Sequence, residues 1–267
     1  MDAASRLYRG ETPTGVCYGI WGPEPASPAP VLIILASTIT GTLEDPYYRQ
    51  CGTTLAAEGW CCVSIDLPCH GAEHRAGEPA ELLGWRQRAE TGEDFVAETN
   101  RRLTQVLDHL IAIRRVDGEC VMACGTSRGG FLALHFAAHD ERVKGVAAFA
   151  PVTDLLALRE FRGAGANPLM QALALRQQAA ILARRDVWLV IGDQDDRVGT
   201  HHAVEVADRI ATAACEQGRP VTVEIHVLPE PRGHTTPTGA EERATAWLRG
   251  RFQAYCGINL SAPTINS

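Results

Sequence analysis

Gly125-Thr126-Ser127-Arg128-Gly129-Gly130 is the stretch on which the reading of this sequence turns. A serine with glycine two residues to either side fits G-x-S-x-G, a sharp strand-to-helix turn that lifts a hydroxyl above a sheet. Glycine at those positions removes Cβ atoms that would clash where backbone meets backbone. A helix starting after Ser127 would point the positive end of its dipole at any oxygen that becomes negative there. The flanks agree: Val121-Met122-Ala123-Cys124 reads as a buried strand and Phe131-Leu132-Ala133-Leu134 as a helix. A chance Gly-rich turn is the competing reading, and the strand and helix around it weigh against that.

Outward from this turn, short apolar runs alternate with helical patterns. Strands are predicted at 31–36, 60–65, 120–124, 143–150, 187–191 and 221–228. A helix is predicted from near Pro46 to Glu58, with Tyr48, Cys51 and Leu55 on one face and Gly59 as its stop. A longer helix carries Leu103, Val106, Leu107, Leu110 and Ile111 as one apolar stripe. Further helices are expected at 129–139, through Val206 and Ile210 to Gly218, and at the end, where Thr238 and Glu241 are spaced as a capping box. Residues 152–186 read as helical with a break at 163–168. Strands apolar throughout are buried on both faces, as in a parallel sheet. Strand–helix alternation then gives a doubly wound α/β layer. No linker divides the chain, so residues 1–260 are expected to form one domain. An N-terminal hairpin-like region (5–21) and a proline-rich surface turn (23–30) precede the core, and the tail 261–267 is expected to fray.

Bulk properties narrow the function. The 267 residues are 45% hydrophobic and 21% charged, enough for a full core. No run approaches the roughly 20 apolar residues of a membrane span. The first residues lack the pattern of a secretory signal. The formal charge of −7, with no basic patch, argues against nucleic-acid or anionic-membrane partners. Nine cysteines, an odd number without paired spacings, read as reduced and mostly buried thiols of a cytoplasmic protein.

A serine hydroxyl needs a base to take its proton, and the base needs an acid to orient it. In this architecture such groups sit just past the carboxyl ends of strands. Gly192-Asp193-Gln194-Asp195-Asp196-Arg197-Val198 follows one late strand and Pro231-Arg232-Gly233-His234 the next. Three aspartates compete for the acid. Among the histidines, His226 lies inside a strand and His201 and His202 open a helix, which leaves His234 as the base.

These features together resemble an α/β-hydrolase, close to the prolyl-oligopeptidase-like and dienelactone-hydrolase-like branches. The resemblance rests on residues 125–130, the run 142–154, Asp66-Leu67-Pro68-Cys69-His70-Gly71, the acid loop and Gly233-His234, and it covers about 30–255. It implies a serine hydrolase working through an acyl-enzyme. It selects Asp195 as the acid, since Gly192-x-x-Asp195-x-x-Val198 is similar to the family's acid loop. Asp193 and Asp196 then fall to turn and capping roles. It implies an oxyanion hole built from the backbone N–H of Arg128 and a second N–H from the turn at 37–41, with Ile39 first by position and Thr38 second. That turn reads Ser37-Thr38-Ile39 where the family usually has His-Gly. Residues 152–186 stand where such hydrolases carry lids, and their apolar side chains suggest a small cap over an acyl pocket.

For that pocket His70, Phe161 and Met170 are the candidates. Arg128 could bind a substrate carboxylate, although an ion pair is the commoner fate of such an arginine. Cys69, His70 and His74 lack the signature of a zinc site, so neither metal nor cofactor is expected. The expected substrate is a small carboxylic ester. A thioesterase, a small peptidase or a non-catalytic small-molecule binder are the alternatives, and a homodimer is left open.

Overall fold

The computed structural model describes residues 6–22, 24 and 28–257. The tail expected to fray lies outside them, as do residue 5 of the hairpin-like region and half of the proline-rich turn (23 and 25–27). An eight-stranded sheet forms the centre, in the order β1-β2-β4-β3-β5-β6-β7-β8. Its strands are β1 (Arg6–Glu11), β2 (Cys17–Gly22), β3 (Ala29–Leu35), β4 (Cys61–Ser64), β5 (Val116–Thr126), β6 (Val143–Phe149), β7 (Asp186–Gly192) and β8 (Val223–Leu228). β1 and β2 form the expected antiparallel hairpin, β2 joins β4 antiparallel, and every pairing from β4 through β3 to β8 is parallel.

Alternation along each strand feeds two cores. Val31, Ile33 and Leu35 of β3 face one layer, while Leu32 and Ile34 face the other. The second layer is covered by α1 (Ile39–Leu43), α3 (Gly52–Ala57) and the last helix, α10 (Ala240–Cys256). Between α1 and α3 lies α2 (Pro46–Arg49). The first layer is covered by α4 (Glu81–Glu90), α5 (Phe95–Ala112), α6 (Arg128–His139) and α9 (Thr200–Glu216). The segment between β6 and β7, which includes α7 (Pro168–Ala172) and α8 (Ala179–Leu182), covers the same face.

Three local expectations are revised. The helix expected over 46–58 is broken at Gln50, whose φ of 48° and ψ of −128° separate α2 from α3. The 152–186 region is not continuous helix. It runs through 3-10 turns at Leu155–Ala157, Arg159–Phe161 and Leu175–Gln178 besides α7 and α8. The capping box does not form, because α10 starts after Gly239 in the left-handed region, with no side-chain cap. Its two glutamates in the first turn still complement the helix dipole.

Candidate active site

The elbow is held by backbone contact. Ser127 has φ 55° and ψ −117°, a conformation few non-glycine residues adopt. Its N–H donates to the Phe149 carbonyl at 2.8 Å, and its carbonyl accepts from Phe131 and Val152. A Cβ at position 125 would stand 2.4 Å from the Gly129 carbonyl carbon, and one at 129 would stand 1.9 Å from the Leu35 oxygen. Only glycine lets β3, β5 and α6 approach this closely.

Ser127 Oγ lies 2.9 Å from His234 Nε2, and His234 Nδ1 lies 2.8 Å from Asp195 Oδ2. Asp195 is buried, and its Oδ1 accepts the N–H groups of Arg197 at 3.1 Å and Val198 at 3.2 Å. With the aspartate ionised, the imidazole proton is held on Nδ1 and Nε2 faces the hydroxyl. Of the competing aspartates, Asp193 accepts the Glu230 N–H at 2.9 Å and ties the acid loop to the segment bearing His234. His201 and His202 stack on each other on α9, 3.9 Å apart, and His226 lies against Trp188. Neither group reaches the serine.

The turn at 37–41 departs from expectation. The Ile39 N–H donates to Asp66 Oδ1 at 2.6 Å, so it is committed to structure and not free for a substrate oxygen. The Ser37 N–H is taken by Thr42 Oγ1. Asp66 also accepts the Ala72 N–H, and the Leu67 N–H donates to the Ser37 carbonyl. The loop after β4 therefore fixes the loop after β3, and the N–H groups of Thr38 and Thr40 are the donors of this turn that make no hydrogen bond among the described residues.

A cavity of about 220 Å³ opens over Ser127. Tyr47, Tyr48, Leu82, Arg128, Arg197 and His234 are among its walls. None of the expected pocket residues lines it. His70 is buried beneath, its Nδ1 2.8 Å from the Pro68 carbonyl. Burial, and then the nearby Arg128, depress its pKa. Phe161 and Met170 are core residues, 1% and 0% exposed. Aromatic and arginine groups from α2 and the acid loop line the cavity instead. Tyr47 lies outside the apolar face expected for 46–58 and Tyr48 reads there as a packing residue, whereas Arg197 stands inside the acid loop already singled out.

Both arginines of the cavity are paired. Arg128 Nη1 donates to Glu81 Oε2 at 2.7 Å and its Nε to the Ala36 carbonyl. That contact holds the Glu81 carboxyl below its usual range. Arg197 grips Glu160 through both terminal nitrogens at 2.8 Å. Burial pushes the Glu160 carboxyl up, but this fork brings it below its ordinary value. Glu160 belongs to the segment expected to form a cap, which thus reaches the acid loop. Among the described residues, no three His, Cys, Asp or Glu side chains gather as metal ligands, and no helix is long and apolar enough to cross a membrane.

Residues 98–252, more than half of the chain, match the prolyl oligopeptidase family. The chain belongs to that family. It is a serine hydrolase with the α/β-hydrolase fold. Among solved structures it is similar to a cold-adapted esterase from an Arctic intertidal metagenomic library, at 18% identity and a TM-score of 0.64, with 93% of this chain and 94% of that one covered. It is also similar to a puromycin-hydrolyzing peptidase of Mycobacterium tuberculosis, at 15% identity and a TM-score of 0.69. There 96% of this chain matches only 40% of the other, so it spans well under half of the peptidase. An acetyl xylan esterase from Thermoanaerobacterium is similar at 17% identity and a TM-score of 0.58, with 94% and 89% covered. A search of curated protein sequences gives no match.

Proposed function

We propose that this family member hydrolyses small carboxylic esters, with Ser127 as nucleophile, His234 as general base and then acid, and Asp195 as the group that orients His234. The observation that carries the reading is the relay from Ser127 Oγ through the imidazole to a buried carboxylate, with links of 2.9 and 2.8 Å. As Ser127 attacks the carbonyl, Nε2 takes its proton and Asp195 stabilises the resulting imidazolium. The Arg128 and Thr38 N–H groups receive the oxyanion, each such donor contributing about 3 kcal/mol in comparable sites. His234 then gives its proton to the leaving alkoxide, and water, activated by the same imidazole, releases the acid.

The small cavity with its two tyrosines and Leu82 supports a short acyl group over an extended peptide. Cys17, Cys51, Cys61, Cys62, Cys69, Cys124, Cys215 and Cys256 are free thiols, which supports a reducing compartment. Ser127→Ala is expected to reduce turnover of a short p-nitrophenyl ester by about 10⁶-fold and to abolish labelling by a fluorophosphonate. Labelling that persists at another serine would overturn the assignment. An aminoacyl anilide cleaved more efficiently than the ester would move the reading to a peptidase with the same relay.

A further inference from the structure

Beside the cavity over Ser127 lies a larger one, of about 570 Å³, that the mechanism above does not use. Arg197 is a wall of both. The rest of its charged lining comes from the 3-10 turn at 159–161, from Arg162, and from the acid loop at Asp196. Three guanidiniums therefore surround a space in a protein whose formal charge is −7.

The carboxylates nearby neutralise only Arg197 fully. Glu160 is committed to Arg197 by two 2.8 Å bonds and gives Arg159 only a 3.3 Å contact. Asp196 is exposed and makes no ion pair with these arginines. The Arg162 guanidinium is exposed and has no partner among the described residues, while its carbonyl accepts from Arg86 Nη1 at 3.2 Å. Arg86 also donates to the Glu160 carbonyl at 3.0 Å, so the turn is anchored to α4 through its main chain. The backbone is fixed, and the charged head of Arg162 serves no structural contact. An anchored turn that presents a spare planar fork to a concave space is suited to a carboxylate.

We propose that this cavity is a distal substrate subsite, in which Arg162, with Arg159 beside it, binds a carboxylate carried by the ester away from the scissile bond. The proposal rests on the hydrolase reading above. Arg197 stands at the junction, so a substrate lying over Ser127 extends past it into the second cavity. The preferred substrates are then half-esters of dicarboxylic acids, or esters of carboxylated alcohols and phenols.

The test is steady-state kinetics on three kinds of ester: neutral p-nitrophenyl butyrate, mono-p-nitrophenyl esters of dicarboxylic acids of increasing length, and butyrate esters of carboxylated phenols. The second and third place the carboxylate on the acyl and leaving-group sides respectively. In the wild type, one anionic series is expected to show a lower KM than the neutral ester. Arg162→Ala should raise the anionic-to-neutral KM ratio about fivefold, Arg162→Glu more, and Arg162→Lys should recover part of it. Asp196→Asn should lower the ratio, and added salt should raise it in the wild type but not in Arg162→Ala. A ratio equal in wild type and Arg162→Ala on both anionic series overturns the proposal. The hydrolase reading would survive that result provided the neutral ester is turned over by the wild type and not by Ser127→Ala.

Discussion

The Ser127 elbow lines one cavity and the segment from Leu155 to Leu182 lines the next, with Arg197 a wall of both, and the two regions are held by different forces. At the elbow nothing can yield: a methyl group at 129 would meet main-chain oxygen, and Ser127 is bonded on both sides to neighbouring strands and turns. The segment is a chain of short turns fixed by side chains. Arg197 holds Glu160, Arg176 pairs with Asp154, Asn167 donates to the Ala89 carbonyl, and Phe161, Met170 and Leu175 are buried anchors. The difference suits a division of labour. A reacting hydroxyl needs placement to within a fraction of an ångström. A pocket wall needs only to be replaceable without disturbing the sheet.

Two substitutions would break that contrast if it is wrong. The larger effect is expected from Asp195→Asn. The amide keeps the bonds from Arg197 and Val198 but cannot accept from His234 Nδ1–H, so the imidazole loses its orientation and tautomer. Turnover should fall by about 10⁴-fold with little change in thermal midpoint. Unchanged turnover would show that the relay is not used. Next comes Gly129→Ala. Its Cβ would stand 1.9 Å from the Leu35 oxygen, a main-chain atom that cannot rotate away. Destabilisation of about 4 kcal/mol or more is expected in denaturant titration, together with lost activity. A stable, active variant would mean that the elbow can shift, and the distinction from the segment would fail.

The same distinction explains what could be read in advance. The elbow, the acid loop and the loop bearing His234 are written in local backbone chemistry: glycines where strands touch, and polar groups just past strand ends. They were legible from residue type and spacing. The broken course of 155–182 was not, because its turns depend on Arg86, Arg197 and Ala89, partners far along the chain. Helix α4 was missed for a related reason. It carries Arg88, buried against Glu78 at 2.7 Å, and Gly84 packed on Cys69, so its polar sequence shows little apolar stripe. The Ile39 amide, first by position for an oxyanion, is claimed by Asp66, 27 residues away. No local pattern records that claim. His70 sits in a motif that reads as functional, yet its ring lies under the loop, where it leaves the Ser127 cavity to Tyr47, Tyr48 and Leu82.

The two regions meet at His135. It lies on the buried face of α6, the helix that starts at the elbow, and its Nε2 is 2.9 Å from the Leu173 carbonyl of the segment. Burial drives its pKa down to about 4, against a partial rise from that hydrogen bond. The unfolded chain therefore takes up this proton near the ordinary histidine pKa, and the folded chain only near 4. The stability His135 contributes is fully present above about pH 6.5 and is lost as pH falls towards 4, a change on the order of 3 kcal/mol. His135→Leu removes the titration and leaves the Leu173 carbonyl unpaired, which costs about 1–3 kcal/mol at neutral pH. The variant should accordingly be less stable than wild type at pH 7.5 but lose less on acidification, so the two stability curves converge between pH 6.5 and 4. Curves that stay parallel over that range would show that His135 does not couple the elbow helix to the segment in its neutral form.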